Sequence, residues 1–362
     1  MKTQVSILAA VLSLACCLFA QNQASISSGK AKAFPAPDFM LGDKEAKTEK
    51  SRVVLGPMES DGKGGTKGSF TVYGGSSLIS VSSLSFSGNG KILAVGIMPG
   101  RVELWDVENR KKIRTLDAGS TVALSVDGHL LATDGNGIEL YDVPSGHLVR
   151  RIPRTLKRPE NVVVKFEFNP AGSLLDVTAN GDDDTVYEVS SGRCLLTLAD
   201  TRQARFSRDG LSLIGGNYKH LIVWNTRDWS KVSDVPNGPE YVRRIAAFPE
   251  KDLAIVGGPE AVRLVRISSG GELARVGTGW TNFTAFDRDG SFILTYAGGV
   301  LAVWDTKGTQ YCTRANIGNG TLALSPDNRW LAAAPLDGST TVSIWKLPDA
   351  LNACGTSDAP AQ

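Results

Sequence analysis

The sequence predicts an all-β chain closed into a seven-bladed β-propeller, each blade an antiparallel sheet of four strands. Two observations carry that expectation. An apolar residue followed by a turn of Ser, Asp, Asn, Pro and Gly recurs at Phe86, Leu124, Phe168, Phe206, Phe248, Phe286 and Leu324, a spacing of 38 to 44 residues that suits one blade per copy. Seven positions after each anchor stands a branched aliphatic residue: Leu93, Leu131, Leu175, Leu213, Ile255, Ile293 and Leu331. Beyond the N-terminus no window of helical length keeps a 3.6-residue apolar period, so an all-β reading is preferred to an α/β one.

Taken in chain order, the first twenty residues differ from everything after them. Lys2 precedes an apolar run from Val5 to Ala20 broken only by Ser6 and Ser13, the plan of a secretory signal peptide cleaved after Ala20. The run is too short for a comfortable membrane span, which takes about 20 apolar residues. Lipidation at Cys17, behind Leu14-Ala15-Cys16, is the alternative, with Cys where a small residue is usual. Residues 21–67, rich in Lys, Ser, Gly and Ala, read as a flexible leader. Within them Gly62 to Gly68 has the wrong order of Gly, Lys and Thr for a phosphate loop.

The propeller is expected over residues 68–349. In blade one, VSSLSFS, KILAVGI, RVELWDV and KKIRTL read as four strands with turn residues between them. The third strand of each copy ends on an aliphatic residue and a second, mostly aromatic one: Leu104-Trp105, Leu140-Tyr141, Val186-Tyr187, Val223-Trp224, Leu264-Val265, Val303-Trp304 and Ile344-Trp345. These tryptophans and tyrosines are expected in the core. Blade seven supplies only three strands before Leu347, so its outer strand must come from the other end of the chain. Ser69 to Tyr73 alternates as a strand should and is the predicted closing strand, with Ser51 to Leu55 the weaker candidate. Residues 350–362 form a C-terminal tail.

Trp105-Asp106, Tyr141-Asp142, Trp304-Asp305 and the turns FSRDG and LSPDN together resemble the WD40 repeat family over about three quarters of the chain. The repeats are degenerate: the Gly-His pair that often precedes the innermost strand is missing from all seven copies. The resemblance implies a propeller that binds protein partners and does no chemistry of its own.

Thirty-nine basic residues against 37 acidic ones give no general pull towards nucleic acid or anionic lipid, so recognition must be local. Blade three starts late, 44 residues after blade two, and the longer connection carries Arg154, Lys157 and Arg158 just after Arg150 and Arg151. Asp182, Asp183 and Asp184 precede its third strand. Loops that enter innermost strands and loops between second and third strands share one face of a propeller, so these runs are expected to be neighbours. Three consecutive acids lack the spaced ligands of a calcium loop, and no metal or cofactor is expected. Tyr218, His220, Tyr241 and Trp280 lie on the same face as candidate contact residues, with packing between blades the alternative for Tyr241 and Trp280.

Without the signal segment three cysteines remain. Cys312 on the outer strand of blade six and Cys354 in the tail are either a disulfide pinning the tail or two thiols, and Cys194 is expected to be buried. Three histidines, with no nucleophile elbow or zinc-protease motif, leave little for an enzyme. The expected function is therefore a non-catalytic interaction scaffold, monomeric, exported to the periplasm or beyond, and touching membrane only through a lipid at Cys17. The alternatives are a hydrolase or lyase with a channel-mouth site, where Glu160, Arg202, Glu240 and Arg243 would gather, or a glycan-binding module.

Overall fold

The computed structural model describes residues 32–33, 35–42, 52–60, 66–73, 79–154, 162–180, 183–199, 201–217, 219–236, 242, 244–258, 260–278, 281–297, 300–314, 320–335 and 339–354. Blade one consists of Ser80–Phe86, Ile92–Met98, Arg101–Asp106 and Lys111–Leu116, and blade two of Val122–Leu124, Leu130–Gly135, Gly137–Asp142 and Leu148–Ile152. Blade three is Val163–Phe168, Leu174–Ala179, Asp184–Glu188 and Cys194–Leu198; blade four is Arg202–Phe206, Ser212–Gly216, His220–Asn225 and Lys231–Pro236. Blade five is Arg244–Phe248, Leu253–Gly257, Ala261–Arg266 and Glu272–Thr278; blade six is Thr281–Phe286, Phe292–Ala297, Val300–Asp305 and Gln310–Arg314. Thr321–Leu324, Trp330–Ala334 and Val342–Lys346 make blade seven. The first strands of successive blades touch one another, and that of blade seven touches that of blade one, so they are innermost and the ring is closed.

The repeat signature has a physical reading at each position. Ser87, Ser125, Ser207 and Ser325 open the turn after the innermost strand, and each hydroxyl accepts the N–H five residues on; Asn169 and Asp287 do the same with their side-chain oxygens. The turn then passes a left-handed residue in all seven copies, glycine in five, Asp252 in blade five and Asn328 in blade seven, the residue types that adopt this conformation most readily. All seven aliphatic residues seven positions beyond the anchors are completely buried. The buried residues sort into seven layers, each lying between two neighbouring blades. A residue is bulged out of the outer strand at the same point in six blades, opposite the step between the aliphatic and the larger residue. The bulged residues are Ile113, Val149, Leu195, Val232, Leu273 and Tyr311, all apolar, and such bulges add the twist a radial blade needs.

The chain does close blade seven with an N-terminal strand, but a different one from that predicted. Phe39–Leu41 pairs antiparallel with Val342–Lys346, while Thr66–Tyr73, containing the predicted closing strand, pairs with Arg52–Ser60 in a separate two-stranded hairpin. The leader assigned to residues 21–67 thus contributes to the ring. Lys32–Ala33 adds in parallel to the outer strand of blade six at Cys312 and Thr313, and the chain then crosses to blade seven. Asp38 N–H donates to Ile344 O at 2.7 Å, the Trp345 indole N–H to Pro35 O at 3.0 Å, and Leu41 is buried. The tail is also partly structured: Leu347–Ala353 is a short helix that ends against blade six.

Cys312 and Cys354 form a disulfide with Cα atoms 5.5 Å apart, and both are buried. It closes a loop of 42 residues, which by chain-entropy reasoning is worth about 4 kcal/mol. Reduction is therefore expected to lower the denaturation midpoint sharply, and a midpoint unchanged by reductant would show that the bridge adds nothing. Cys194 is exposed and not buried, because it stands at the start of an outer strand whose far edge pairs with no other described strand.

Candidate functional site

Side chains on the innermost strands carry each blade to the next. At the position before each anchor the repeat keeps a small residue, Ser85, Ala123, Ala247, Ala285 or Ala323, because that side chain points at the next blade's innermost strand; Ser85 Oγ, for example, accepts Leu124 N–H at 2.9 Å. Blades three and four break the rule together, with Glu167 and Arg205. Arg205 Nη1 lies 2.5 Å from Glu167 Oε2, and Glu167 Oε1 accepts Phe206 N–H at 3.2 Å. Two residues earlier, Lys165 Nζ reaches Glu167 at 2.8 Å and Asp176 at 3.2 Å and donates to Ala204 O of blade four.

Asp176 is the sharpest departure. The equivalent residues are Ala94, Ala132, Ile214, Val256, Leu294 and Ala332, all fully buried, and Asp176 is fully buried as well. Burial raises its carboxyl well above the ordinary carboxylate range; Lys165 opposes this, and Asp184 and Glu167 add to it. Burial also pushes the Glu167 carboxyl up, but Arg205 and Lys165 outweigh it and hold the group below its ordinary value.

On the loop face, Arg154 follows the outer strand of blade two and is half-buried. Its charge helps hold down Asp134, whose carboxyl is nevertheless raised by burial while Oδ1 accepts Thr121 N–H at 2.6 Å. Gly119 permits this approach, since a Cβ there would fall 1.2 Å from Asp134 O. Arg151 grips Glu139 Oε1 through Nε at 3.0 Å and Nη2 at 2.8 Å, and Tyr141 donates to Glu139 Oε2 at 2.9 Å. Burial and that carboxylate push the Tyr141 hydroxyl up to about 12.

Of the residues singled out from the sequence, Asp183 is half-buried and Asp184 does not belong to an exposed acidic run. Asp184 is completely buried, its Oδ2 accepting Ala204 N–H at 2.7 Å, because it is the first residue of the third strand and faces blade four. His220 leans on the outer strand of its own blade, with Nδ1 2.5 Å from Asp234 Oδ1, and Lys231 shares that aspartate at 2.7 Å. Lys157, Arg158, Asp182, Tyr218, Tyr241 and Trp280 lie outside the described residues, as does Cys17. Among the described residues no group of three His, Cys, Asp or Glu side chains is placed to hold a metal. Lys165, Glu167, Asp176 and Arg205 were missed, although aligning the copies by their anchors shows each as an exception to its column.

Residues 70–126 match the family described as the anaphase-promoting complex subunit 4 WD40 domain. The APC/C activator protein CDH1 of Saccharomyces cerevisiae is 30% identical over 172 residues, 44% of this chain and 30% of that protein. Autophagy-related protein 16 of Arabidopsis thaliana is 24% identical over 73% of this chain and 47% of its own length, and an uncharacterized WD repeat-containing protein of Synechocystis is 29% identical over 38% of this chain and 41% of its own. The chain thus spans less than half the length of these curated relatives. Among solved structures, the β-propeller domain of Cps50 (Swd1) from Myceliophteria thermophila superposes with a TM-score of 0.63 at 17% identity, covering 74% of this chain and 96% of that domain. A propeller of this type is in general a protein-interaction scaffold. With seven antiparallel blades, Trp-Asp pairs in blades one and six and a family model that matches residues 70–126, the chain is a WD40-type β-propeller.

Proposed function

We propose that this propeller is an exported, non-catalytic platform that holds a protein partner with an acidic surface through the loop face of blades two and three. The observation that carries the reading is the basic run in the connection from blade two to blade three, the longest between two blades: Arg154 stands at its start and Lys157 and Arg158 follow in the sequence, whereas Arg150 donates to Ser191 O and Arg151 is paired with Glu139. Seven equal blades put this sector half a turn from blade six, where Lys32–Ala33 joins the ring. Export is supported by the apolar run before Ala20 and by the Cys312–Cys354 disulfide, a bond that persists in oxidising compartments.

The test is capture of partners from the host's envelope fraction by the mature protein, beside the Arg154→Ala/Lys157→Ala/Arg158→Ala variant. The wild type is expected to retain a specific protein, the variant to lose it, and salt to weaken the capture through screening. Equal capture by both would place the partner elsewhere on the ring.

A further inference from the structure

Among the described residues, the layer between blades three and four contains the fewest buried apolar residues of the seven, Val186, Leu198, Ala204, Leu213, Ile222 and Trp224. On its channel side it is completed by charge. Lys165 and Glu167 come from the innermost strand of blade three, Asp176 from its second strand, Asp184 from its third, and Arg205 from the innermost strand of blade four. The second strand of blade four, Ser212–Gly216, brings no titratable group. Among the described side chains of this seam, three carboxylates therefore meet two cations.

We propose that the seam is a proton-operated joint: a proton held on Asp176 fastens blade three to blade four, and its loss loosens this one joint of the ring. The argument is first geometric. Asp176 Oδ1 is buried without a hydrogen-bond partner, and so is Oγ1 of Thr178, two residues along the same strand. An ionised oxygen left without a donor in such a place is far costlier than a protonated one. The adjoining carboxylates do the fastening, since Asp184 Oδ2 holds Ala204 N–H and Glu167 Oε1 holds Phe206 N–H, both on the innermost strand of blade four. A negative charge arising on Asp176 repels both of them and competes with Glu167 for Lys165.

The sign follows from linkage. A carboxyl raised in the folded state binds its proton more tightly there than in the open state, so its contribution is present at low pH and is lost as pH rises from the ordinary carboxylate range through the folded value. Leu124, in the seam between blades one and two, is the reference amide, because its N–H is held by the hydroxyl of Ser85, which does not titrate, while the Asp134 carboxyl of that seam holds Thr121 N–H instead.

Hydrogen exchange of single amides in the intact protein tests the joint. Exchange at Ala204 and Phe206, divided by that at Leu124 to cancel the intrinsic pH dependence, is expected to rise about tenfold or more between pH 5 and pH 9, one unit of linkage being a factor of ten. In Asp176→Asn, whose side chain is neutral at every pH, the ratio is expected to stay flat. A flat ratio in the wild type overturns the proposal, and so does a rising ratio in the variant, since the proton would then reside elsewhere. Should the variant not fold, the wild-type ratio decides alone.

Discussion

Removing residues 32–42 is expected to open the ring and bring the protein close to unfolding, while removing residues 52–73 is expected to leave it closed. The first deletion takes away Leu41, whose buried side chain alone is worth about 2–5 kcal/mol in a packed layer. It also takes the hydrogen bonds from Asp38 to Ile344, from Lys346 to Asp38 and from Trp345 to Pro35, each worth about 1 kcal/mol. Phe39 goes too, and with it the edge-on contact with Trp330 and the seat of the Arg110 guanidinium. Together these approach the roughly 5–15 kcal/mol by which a domain is stable at all. A ring fails as a unit when one seam opens, because the two blades beside the gap each lose an apolar layer. The second deletion removes a hairpin that pairs with no other described strand and leaves residues 43–51 and 74–78 between Gly42 and Ile79. Thermal denaturation of the two variants separates the cases. A wild-type transition after loss of 32–42, or collapse after loss of 52–73, would return the closing role to the segment nearer blade one.

This reversal shows what a sequence carries. Ser69 to Tyr73 has good alternation, and alternation reports that a segment is a strand without saying with which strand it pairs. Phe39–Leu41 is three residues long, too short for any period to show, and gains its place from partners more than 300 positions away. The blades themselves were legible because seven copies average out local accident: the aliphatic position is kept in all seven, and a side-chain acceptor opens the turn in six. The bridge from Cys312 to Cys354 was legible as one of two alternatives, since the blade position of each cysteine follows from the repeat. Asp184 was misplaced for the opposite reason. Three aspartates in a row look like a solvated turn, and only the register, which starts the strand at Asp184, turns the last of them inward. Cys194 was misread because an outer strand is covered on one side only.

The largest effect of removing a single charge is expected at Glu167. Replacing it with alanine leaves Lys165 with Asp176 alone, Arg205 without a carboxylate and Phe206 N–H unsatisfied, and at this part-buried seam the loss is expected to be about 1–3 kcal/mol. Arg205→Ala is expected to cost less, because its guanidinium is 35% exposed to the channel and Glu167 keeps Lys165. The informative variant carries both changes. Four other copies already place alanine at this position, at Ala123, Ala247, Ala285 and Ala323, so the double variant restores what the repeat uses elsewhere and is expected to be more stable than the sum of the two losses predicts. Urea denaturation of the four proteins gives the coupling directly. Additive losses would mean that the two charges sit side by side without holding each other. A double variant as stable as wild type would mean that the ring does not need the pair to stand, and that its retention in two adjacent blades serves recognition or the titration of Asp176 beside it.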